Sequence, residues 1–120
     1  MCTTQELGRI GEEIAACYIE NNGYRIQEKN VRFGKYELDI VAFDPSENMI
    51  VFIEVKTRTH SSSTYPIHSA MHQRKRTSMR KAVAYWLLKH QYDGLARIDV
   101  ISVSGGRVIE HLKNLGSDFF

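Results

Sequence analysis

The sequence predicts an α/β fold in which a mixed central sheet has a helix on each side. Two segments, about residues 4–22 and 67–90, have apolar residues at helical spacing. Five shorter segments are rich in strand formers and bounded by turn residues; they span 24–33, 36–43, 49–57, 97–103 and 107–112. The resulting order is α-β-β-β-α-β-β. Since the 120-residue chain shows no internal repeat or linker, we expect one domain over residues 1–120.

The first predicted helix carries two stripes of residues. An apolar stripe predicts the buried face, with a small core cysteine, and consists of Leu7, Ile10, Ile14, Cys17 and Tyr18. A second stripe, mostly of small residues, consists of Gly8, Glu12, Ala15 and Ile19. The small residues would let the helix lie close to the sheet and bring Glu12 to the sheet edge.

The second predicted helix lies in a strongly basic part of the chain. Residues 55–92 contain no Asp or Glu, yet they hold half of the sixteen basic residues: Lys56, Arg58, Arg74, Lys75, Arg76, Arg80, Lys81 and Lys89. A polyanion is the natural partner for such a region, and the alternative is a solvated helix face. On the polyanion hypothesis, Arg74, Arg76, Arg80 and Lys81 contact a nucleic-acid backbone without base specificity. Arg58 is expected to contact a phosphate, with a surface ion pair as its alternative role.

The hairpin from Tyr36 to Arg58 places charged residues among strand formers. If the turn at 44–49 closes symmetrically, Asp39 faces Glu54, Glu37 faces Lys56, and all four side chains share one sheet face. Two carboxylates directly opposite each other, about 5 Å apart, repel. A bound cation would reverse that repulsion.

The chemistry of these residues suits a hard cation. The carboxylates of Asp39 and Glu54, with the Val55 carbonyl, offer the oxygen ligands that Mg²⁺ prefers and leave positions for water and phosphate. Lys56 could then neutralise charge that develops on a phosphate, and Glu12 could act as a further acid. The alternative is structural: Glu37 and Lys56 form an ordinary cross-strand ion pair, and the two acids are exposed at a sheet end.

Other features exclude several classes of protein. No run of about 18 apolar residues exists, and the start, MCTTQELGRI, has no basic region followed by an apolar stretch. We therefore expect a cytoplasmic protein that makes no use of a membrane. Cys2 and Cys17 are expected to be reduced thiols, and zinc is not expected because the five histidines have no Cys partners at finger spacing.

Several motifs occur together in a fixed order along the chain. They are Gly8-x-x-Gly11-Glu12, ELDIVA (37–42) leading into FIEVKTR (52–58), AMHQRK (70–75) followed by Ala82, and RIDV (97–100). This set resembles the YraN family, whose members are similar in fold to Holliday-junction resolvases and restriction endonucleases. The resemblance covers residues 5–104. One departure is Tyr36, since the family usually has glycine before the glutamate of the second strand.

The resemblance implies a restriction-endonuclease-like α-β-β-β-α-β core with a PD-(D/E)xK site. It implies a Mg²⁺ or Mn²⁺ site at Asp39, Glu54 and Lys56, joined by Glu12 from the first helix, and DNA as the substrate. Glu37 would support the ligands, Asp99 would be structural and pair with Arg97, and Lys75 could reach the site from the second helix.

Three functions follow as hypotheses from these features. The leading one is a metal-dependent endonuclease-like protein acting on DNA phosphodiesters, with branched or damaged DNA as candidate substrates. The second is a non-catalytic nucleic-acid-binding module that retains the nuclease fold, and the third is an interaction protein whose basic helix meets an acidic partner. A homodimer is attractive for the first, because resolvase-like enzymes that act on two strands need two sites.

Overall fold

The structure is a computed structural model that describes residues 4–58 and 73–114, with side chains from residues 8 and 77 onward in these ranges. Its elements are α1 (Thr4–Asn21), β1 (Arg25–Phe33), β2 (Tyr36–Asp44), β3 (Met49–Arg58), α2 (Gln73–Lys89), β4 (Leu95–Ser104) and β5 (Arg107–Leu112). These bounds match the predicted elements within about two residues where both are described. The predicted start of the second helix, residues 67–72, lies outside the described residues.

The strands form one sheet in the order β1-β2-β3-β4-β5. The central pair β3–β4 is parallel, and the other three neighbouring pairs are antiparallel. Parallel neighbours need a long crossover, and the segment that contains α2 provides it. The structure therefore confirms the predicted α/β class, with a mixed sheet and a helix on each side.

Each face of the sheet is buried under one helix. The α2 side holds a core cluster around Phe52 and Trp86, whose rings meet edge to face at 5.4 Å between centroids. The α1 side holds a second cluster around Ile19, Ile40 and Ile53. Because both of its faces are covered, β3 reads as a nearly continuous apolar run rather than an alternating one.

The buried face of α1 differs from the predicted one. The small-residue stripe packs on the sheet, with Ala15 and Ile19 fully buried, whereas Cys17 is exposed and Ile10 is 39% exposed. The prediction that Cys17 is a core residue is therefore wrong. Small side chains let α1 approach the sheet more closely than the apolar stripe would, and the close approach decides the packing.

α1 lies very close to the sheet where it crosses the end of β3. A Cβ placed on Gly11 would overlap the hydroxyl of Thr57 and lie 3.2 Å from the Thr57 Cβ. Glycine is thus required at this crossing, and the next residue, Glu12, is held against the sheet. In the described parts of the chain, no helix is long and apolar enough to span a membrane.

Candidate functional site

The site begins where β2 and β3 separate. Their pairing runs from Asp44↔Met49 to Ile40↔Ile53, which confirms the register predicted from a symmetric turn over these residues. The strand pairing ends before the predicted pairs of Asp39 with Glu54 and of Glu37 with Lys56, so that part of the prediction is wrong. Beyond Ile40, β2 leaves β3, while β3 continues beside β4 as far as the pair Arg58↔Ser104.

The carboxylate of Asp39 lies at this separation. The Val55 N–H, next in line for a partner on β2, donates to Asp39 Oδ2 at 2.9 Å. A side chain thus takes the position that a strand carbonyl would fill in a continued ladder, because a buried N–H needs an acceptor. The Asp39 side chain thus bridges the two strands at the point where their backbone pairing ends.

The alternation of side chains in β2 is interrupted at the same place. Leu38 packs in the α2-side cluster, whereas Ile40 packs in the α1-side cluster, although residues two apart on a strand normally share a face. In β1, Asn30 has a left-handed φ of 54° at the same level of the sheet. The prediction that all four charged side chains of the hairpin share one sheet face is therefore wrong for Glu37, because it assumed unbroken alternation along β2.

The interruption turns Glu37 toward α1, where Glu12 lies. Burial raises the pKa of Glu12 above its ordinary value, and the negative charges of Glu37 and Glu54 raise it further. Lys29 and a hydrogen bond with the Asp39 side chain act in the opposite direction but do not cancel the rise. The fold therefore brings together four carboxyl groups predicted from the sequence, which we call the acidic end of the sheet: Glu12, Glu37, Asp39 and Glu54.

Lys56 supplies a positive charge at the acidic end. Its Nζ lies 3.5 Å from Glu54 Oε1, and the Glu54 side chain is 5% exposed while that of Lys56 is 31% exposed. The structural alternative, a cross-strand ion pair between Glu37 and Lys56, is not what the structure shows: Lys56 pairs with Glu54, and Glu37 lies 3.0 Å from Arg32. Lys56 is thus held beside a buried carboxylate and remains partly accessible to a ligand.

The donor atoms at the acidic end fit a hard divalent cation. In an extended strand the N–H and C=O of one residue point to the same neighbour. Since the Val55 N–H points to Asp39, the Val55 carbonyl also faces the separation between the strands. Over residues 8–58 and 77–114, no group of three or more His, Cys, Asp or Glu side chains is arranged to hold a metal ion. Mg²⁺ needs only one or two carboxylates and keeps several waters, so Asp39, Glu54 and the Val55 carbonyl are a sufficient set.

The structure describes the side chains of only some of the residues predicted to bind phosphate. Arg58 donates from Nε to the hydroxyl of Ser102 at 3.2 Å and borders a groove of about 280 Å³ that also contacts Gly11 and Thr57. Arg80 and Lys81 are exposed on α2. The backbones of Arg74, Lys75 and Arg76 lie in the first turn of α2, and their side chains lie outside the described residues.

Sequence reasoning missed an aromatic cluster next to the acidic end. Phe33 and Tyr36 are cross-strand partners, and the Tyr85 ring from α2 is stacked on both. Lys81, one helical turn before Tyr85, lies over the Tyr36 ring. The usable signal was the departure at Tyr36 together with Lys81 and Tyr85 at i, i+4 spacing.

A second charged cluster, which we call the arginine end, lies where β2 ends and β4 begins. Arg97 is buried and donates to Asp44 Oδ2 at 3.1 Å, to Asp99 Oδ1 at 3.0 Å and to the Tyr24 hydroxyl at 2.7 Å. The pairing of Asp99 with Arg97 agrees with the structural role predicted for Asp99.

Both carboxylates at the arginine end are stabilised in their charged form. Burial opposes the charge on Asp99, but hydrogen bonds with His111, Arg97 and the Asn114 N–H outweigh it and lower the pKa of Asp99. The pKa of Asp44 is lowered in the same way, since hydrogen bonds from Ser46 and Arg97 outweigh burial. This cluster is satisfied from within the chain.

Comparison with known proteins identifies the family of this chain. The model of uncharacterised protein family UPF0102 matches residues 11–103. A UPF0102 protein of Pelobacter propionicus is 45% identical over 112 residues, which cover 89% of this chain and 79% of that protein. UPF0102 proteins of Geobacter metallireducens (43% over 114 residues; 92% and 91%) and Bacteroides thetaiotaomicron (39% over 116 residues; 94% and 93%) are similar throughout. With its core, its motifs and these relatives, the chain belongs to the UPF0102 family, which is the nuclease-like YraN family.

Proposed function

We propose that this protein is a metal-dependent endonuclease that hydrolyses DNA phosphodiesters at the acidic end of the sheet. The observation that carries the proposal is the Asp39–Val55 hydrogen bond, which spans the separation of β2 from β3. Around that separation lie carboxyl groups and Lys56; burial of Glu12, and then repulsion by the negative charges of Glu37 and Glu54, raise the pKa of Glu12. A divalent cation would relieve this repulsion, and a nuclease needs that cation next to the phosphate.

The residues at the acidic end have distinct proposed roles. Asp39 and Glu54, with the Val55 carbonyl, would hold Mg²⁺ or Mn²⁺, and the cation would supply Lewis-acid activation of the phosphodiester and of the attacking water. The Val55 N–H fixes the Asp39 carboxylate in place. Lys56, beside Glu54, stabilises the negative charge that grows on the phosphate in the transition state. Glu12 adds a further acid, and Glu37 increases the negative potential.

A catalytic role explains the acidic end better than a binding role does. Carboxylates repel the phosphates of DNA, so a module that only binds nucleic acid gains nothing from four of them in one place. The basic residues outside this end supply the attraction: Arg58, Arg74, Lys75, Arg76, Arg80 and Lys81 contact the DNA backbone. Because these contacts release counterions, we expect affinity to fall steeply with salt.

The proposal is tested by incubating the protein with labelled single-stranded, duplex, flap and four-way DNAs in Mg²⁺, Mn²⁺ or EDTA. We expect cleavage that requires metal, with a loss of about 10²–10³ in rate for Lys56→Ala, as for removal of one group that stabilises transition-state charge. Lys89→Ala is the matched control, since it removes one exposed lysine at the end of α2 to which we assign no contact with DNA. Binding without cleavage under all metal conditions would instead support the non-catalytic DNA-binding module.

We also propose that the protein acts in the cytoplasm. We further propose that it acts as a homodimer, because cutting two strands of a branched DNA needs two sites. Light scattering after gel filtration, with and without four-way DNA, gives the mass of the particle. A protein that cleaves both strands while it remains one chain per DNA would contradict the dimer and leave the nuclease proposal intact.

A further inference from the structure

The end of the β1–β2 hairpin carries three stacked aromatic rings. The Tyr85 ring lies 5.7 Å from that of Phe33 and 6.2 Å from that of Tyr36 between centroids, with interplanar angles of 27° and 25°. Phe33 and Tyr36 border the α2-side core, so packing accounts for their inner faces. Packing does not account for Tyr85, which is 49% exposed. We call these three rings the aromatic platform.

Two lysines flank the platform and give it a positive potential. The Nζ atoms of Lys35, from the hairpin turn, and Lys81, from α2, each lie 5.5 Å from the centroid of the Tyr36 ring. Both residues are exposed. Exposed aromatic rings beside positive charges are the arrangement by which proteins bind single-stranded nucleic acid: the rings stack on bases and the lysines attract phosphates.

The platform is close to the acidic end. Tyr36 precedes Glu37 and is three residues from Asp39 on the same strand, or ~10 Å along it at the usual rise per residue. Arg32, the chain neighbour of Phe33, pairs at 3.0 Å with Glu37 of the acidic end. A DNA strand with one base on the platform would therefore have a nearby phosphodiester at the acidic end.

We propose that the aromatic platform binds an unpaired DNA base, and that the substrates of this protein are DNAs with unpaired nucleotides, such as single strands, flaps and forks. A paired base has its faces covered by stacking inside the duplex and cannot lie on Tyr85. The charge complementarity of Lys35 and Lys81 favours a nucleic acid over an apolar protein partner. The inference rests on the proposed function for the chemistry, but base binding can be measured without cleavage.

The test compares the binding of equal lengths of single-stranded and fully paired DNA in EDTA, by fluorescence anisotropy. We expect the wild type to prefer single strands and Tyr85→Leu to lose about tenfold of this preference, because leucine keeps apolar contact with Phe33 and Tyr36 but has no ring for a base. Tyr85→Trp, which keeps a ring, should retain the preference. Equal affinity of the wild type for both DNAs, or an unchanged preference in Tyr85→Leu, would overturn the inference.

A second readout needs no variant and so does not depend on folding of the leucine protein. A 2-aminopurine base in the unpaired segment should lose fluorescence when the wild type binds, since it stacks on an aromatic ring. Unchanged fluorescence in a saturated complex would overturn the inference.

Failure of the platform and failure of the nuclease proposal are distinguishable. Selective binding without metal-dependent cleavage would keep the platform and remove the nuclease. Cleavage with the same substrate preference in wild type and Tyr85→Leu would keep the nuclease and remove the platform.

Discussion

The two ends of the sheet each bury carboxyl groups, and they differ in what stabilises them. At the arginine end, Arg97 contacts Asp44 and Asp99 within 3.1 Å, and the pKa of each acid is lowered. At the acidic end, Lys56 lies 3.5 Å from Glu54, yet burial and the neighbouring charges still raise the pKa of Glu12. The chain thus stabilises the charged form of the carboxyl groups at the arginine end, whereas at the acidic end it disfavours the charged form of Glu12.

This difference separates a structural cluster from a functional one. A cavity of about 280 Å³ borders Arg97 at the arginine end, and another of the same size borders Gly11 and Thr57, the chain neighbours of Glu12 and Lys56, so cavity size does not distinguish the two ends. What distinguishes them is the direction of the pKa shifts: burial, and then the charges of Glu37 and Glu54, raise the pKa of Glu12, whereas hydrogen bonds lower the pKa of Asp44 and Asp99. A carboxyl group whose charged form is disfavoured is a candidate for a functional site. On our proposal, a divalent cation with a DNA phosphate offsets that cost.

The largest effect on stability is expected at the arginine end, from Arg97→Met. Removing the guanidinium leaves Asp44 and Asp99 buried without their shared positive partner, and we expect a loss of about 3–5 kcal/mol in the free energy of unfolding, measured with urea. The matched change at the acidic end is Lys56→Met, whose lysine is partly exposed and should matter much less to stability. Equal losses of stability in the two variants would contradict the difference that we describe between the two ends.

The pH dependence of stability should have opposite signs at the two ends. The lowered pKa of Asp44 means that its stabilising contribution is present above its unfolded pKa, about 3.9, and is lost as pH falls through the folded value. Asp44→Asn should therefore cost about 1.5–3 kcal/mol at neutral pH, as for a hydrogen bond to a charged group, and less as the solution becomes acid.

Glu12→Gln is the control for that prediction. Since the pKa of Glu12 is raised, its contribution is present below its unfolded pKa, about 4.3, and is lost as pH rises through the folded value. The variant should gain stability relative to wild type as pH rises, by a small amount because solvent screens a half-buried group. A gain at low pH instead would contradict the raised pKa.

The crossing of α1 over β3 can be tested by a double-mutant cycle. Gly11→Ala should destabilise by about 1–3 kcal/mol, because the added methyl overlaps the Thr57 hydroxyl. Thr57→Ala removes that hydroxyl, and the double variant should recover most of the loss. Thermal melting of the four proteins gives the coupling. Additive effects would show that Gly11 matters for another reason.

The smallest effect is expected for Arg32→Ala. Its ion pair with Glu37 is 3.0 Å long, but the two side chains are 72% and 37% exposed. Such pairs contribute about 0–1 kcal/mol, so urea unfolding should change little. A loss as large as that of Asp44→Asn would mean that exposure does not separate the two ends as we describe.

Much of the fold could be predicted from the sequence because its signals are local. The turn at 44–49 set the register as far as Ile40↔Ile53. The gathering of Asp39, Glu54 and Lys56 followed from that register and from the family motifs.

The remaining features depend on contacts between distant segments. The break in alternation at Asp39 arises where two strands separate, and turn chemistry does not encode it. The exposure of Cys17 follows from the close approach of α1 to β3, which outweighs the hydrophobic pattern of the helix. The aromatic platform joins residues 33, 36 and 85, and only the tertiary fold brings them together.

The central claim is that the acidic end holds a divalent cation, and titration of Mn²⁺ in a calorimeter tests it most directly. We predict one Mn²⁺ bound by the wild type, and loss of that binding in Asp39→Asn and Glu54→Gln, which change a carboxylate to an amide of the same shape. Asp44→Asn should bind Mn²⁺ as the wild type does. Binding that is equal in all four proteins, or absent from the wild type, would contradict the account.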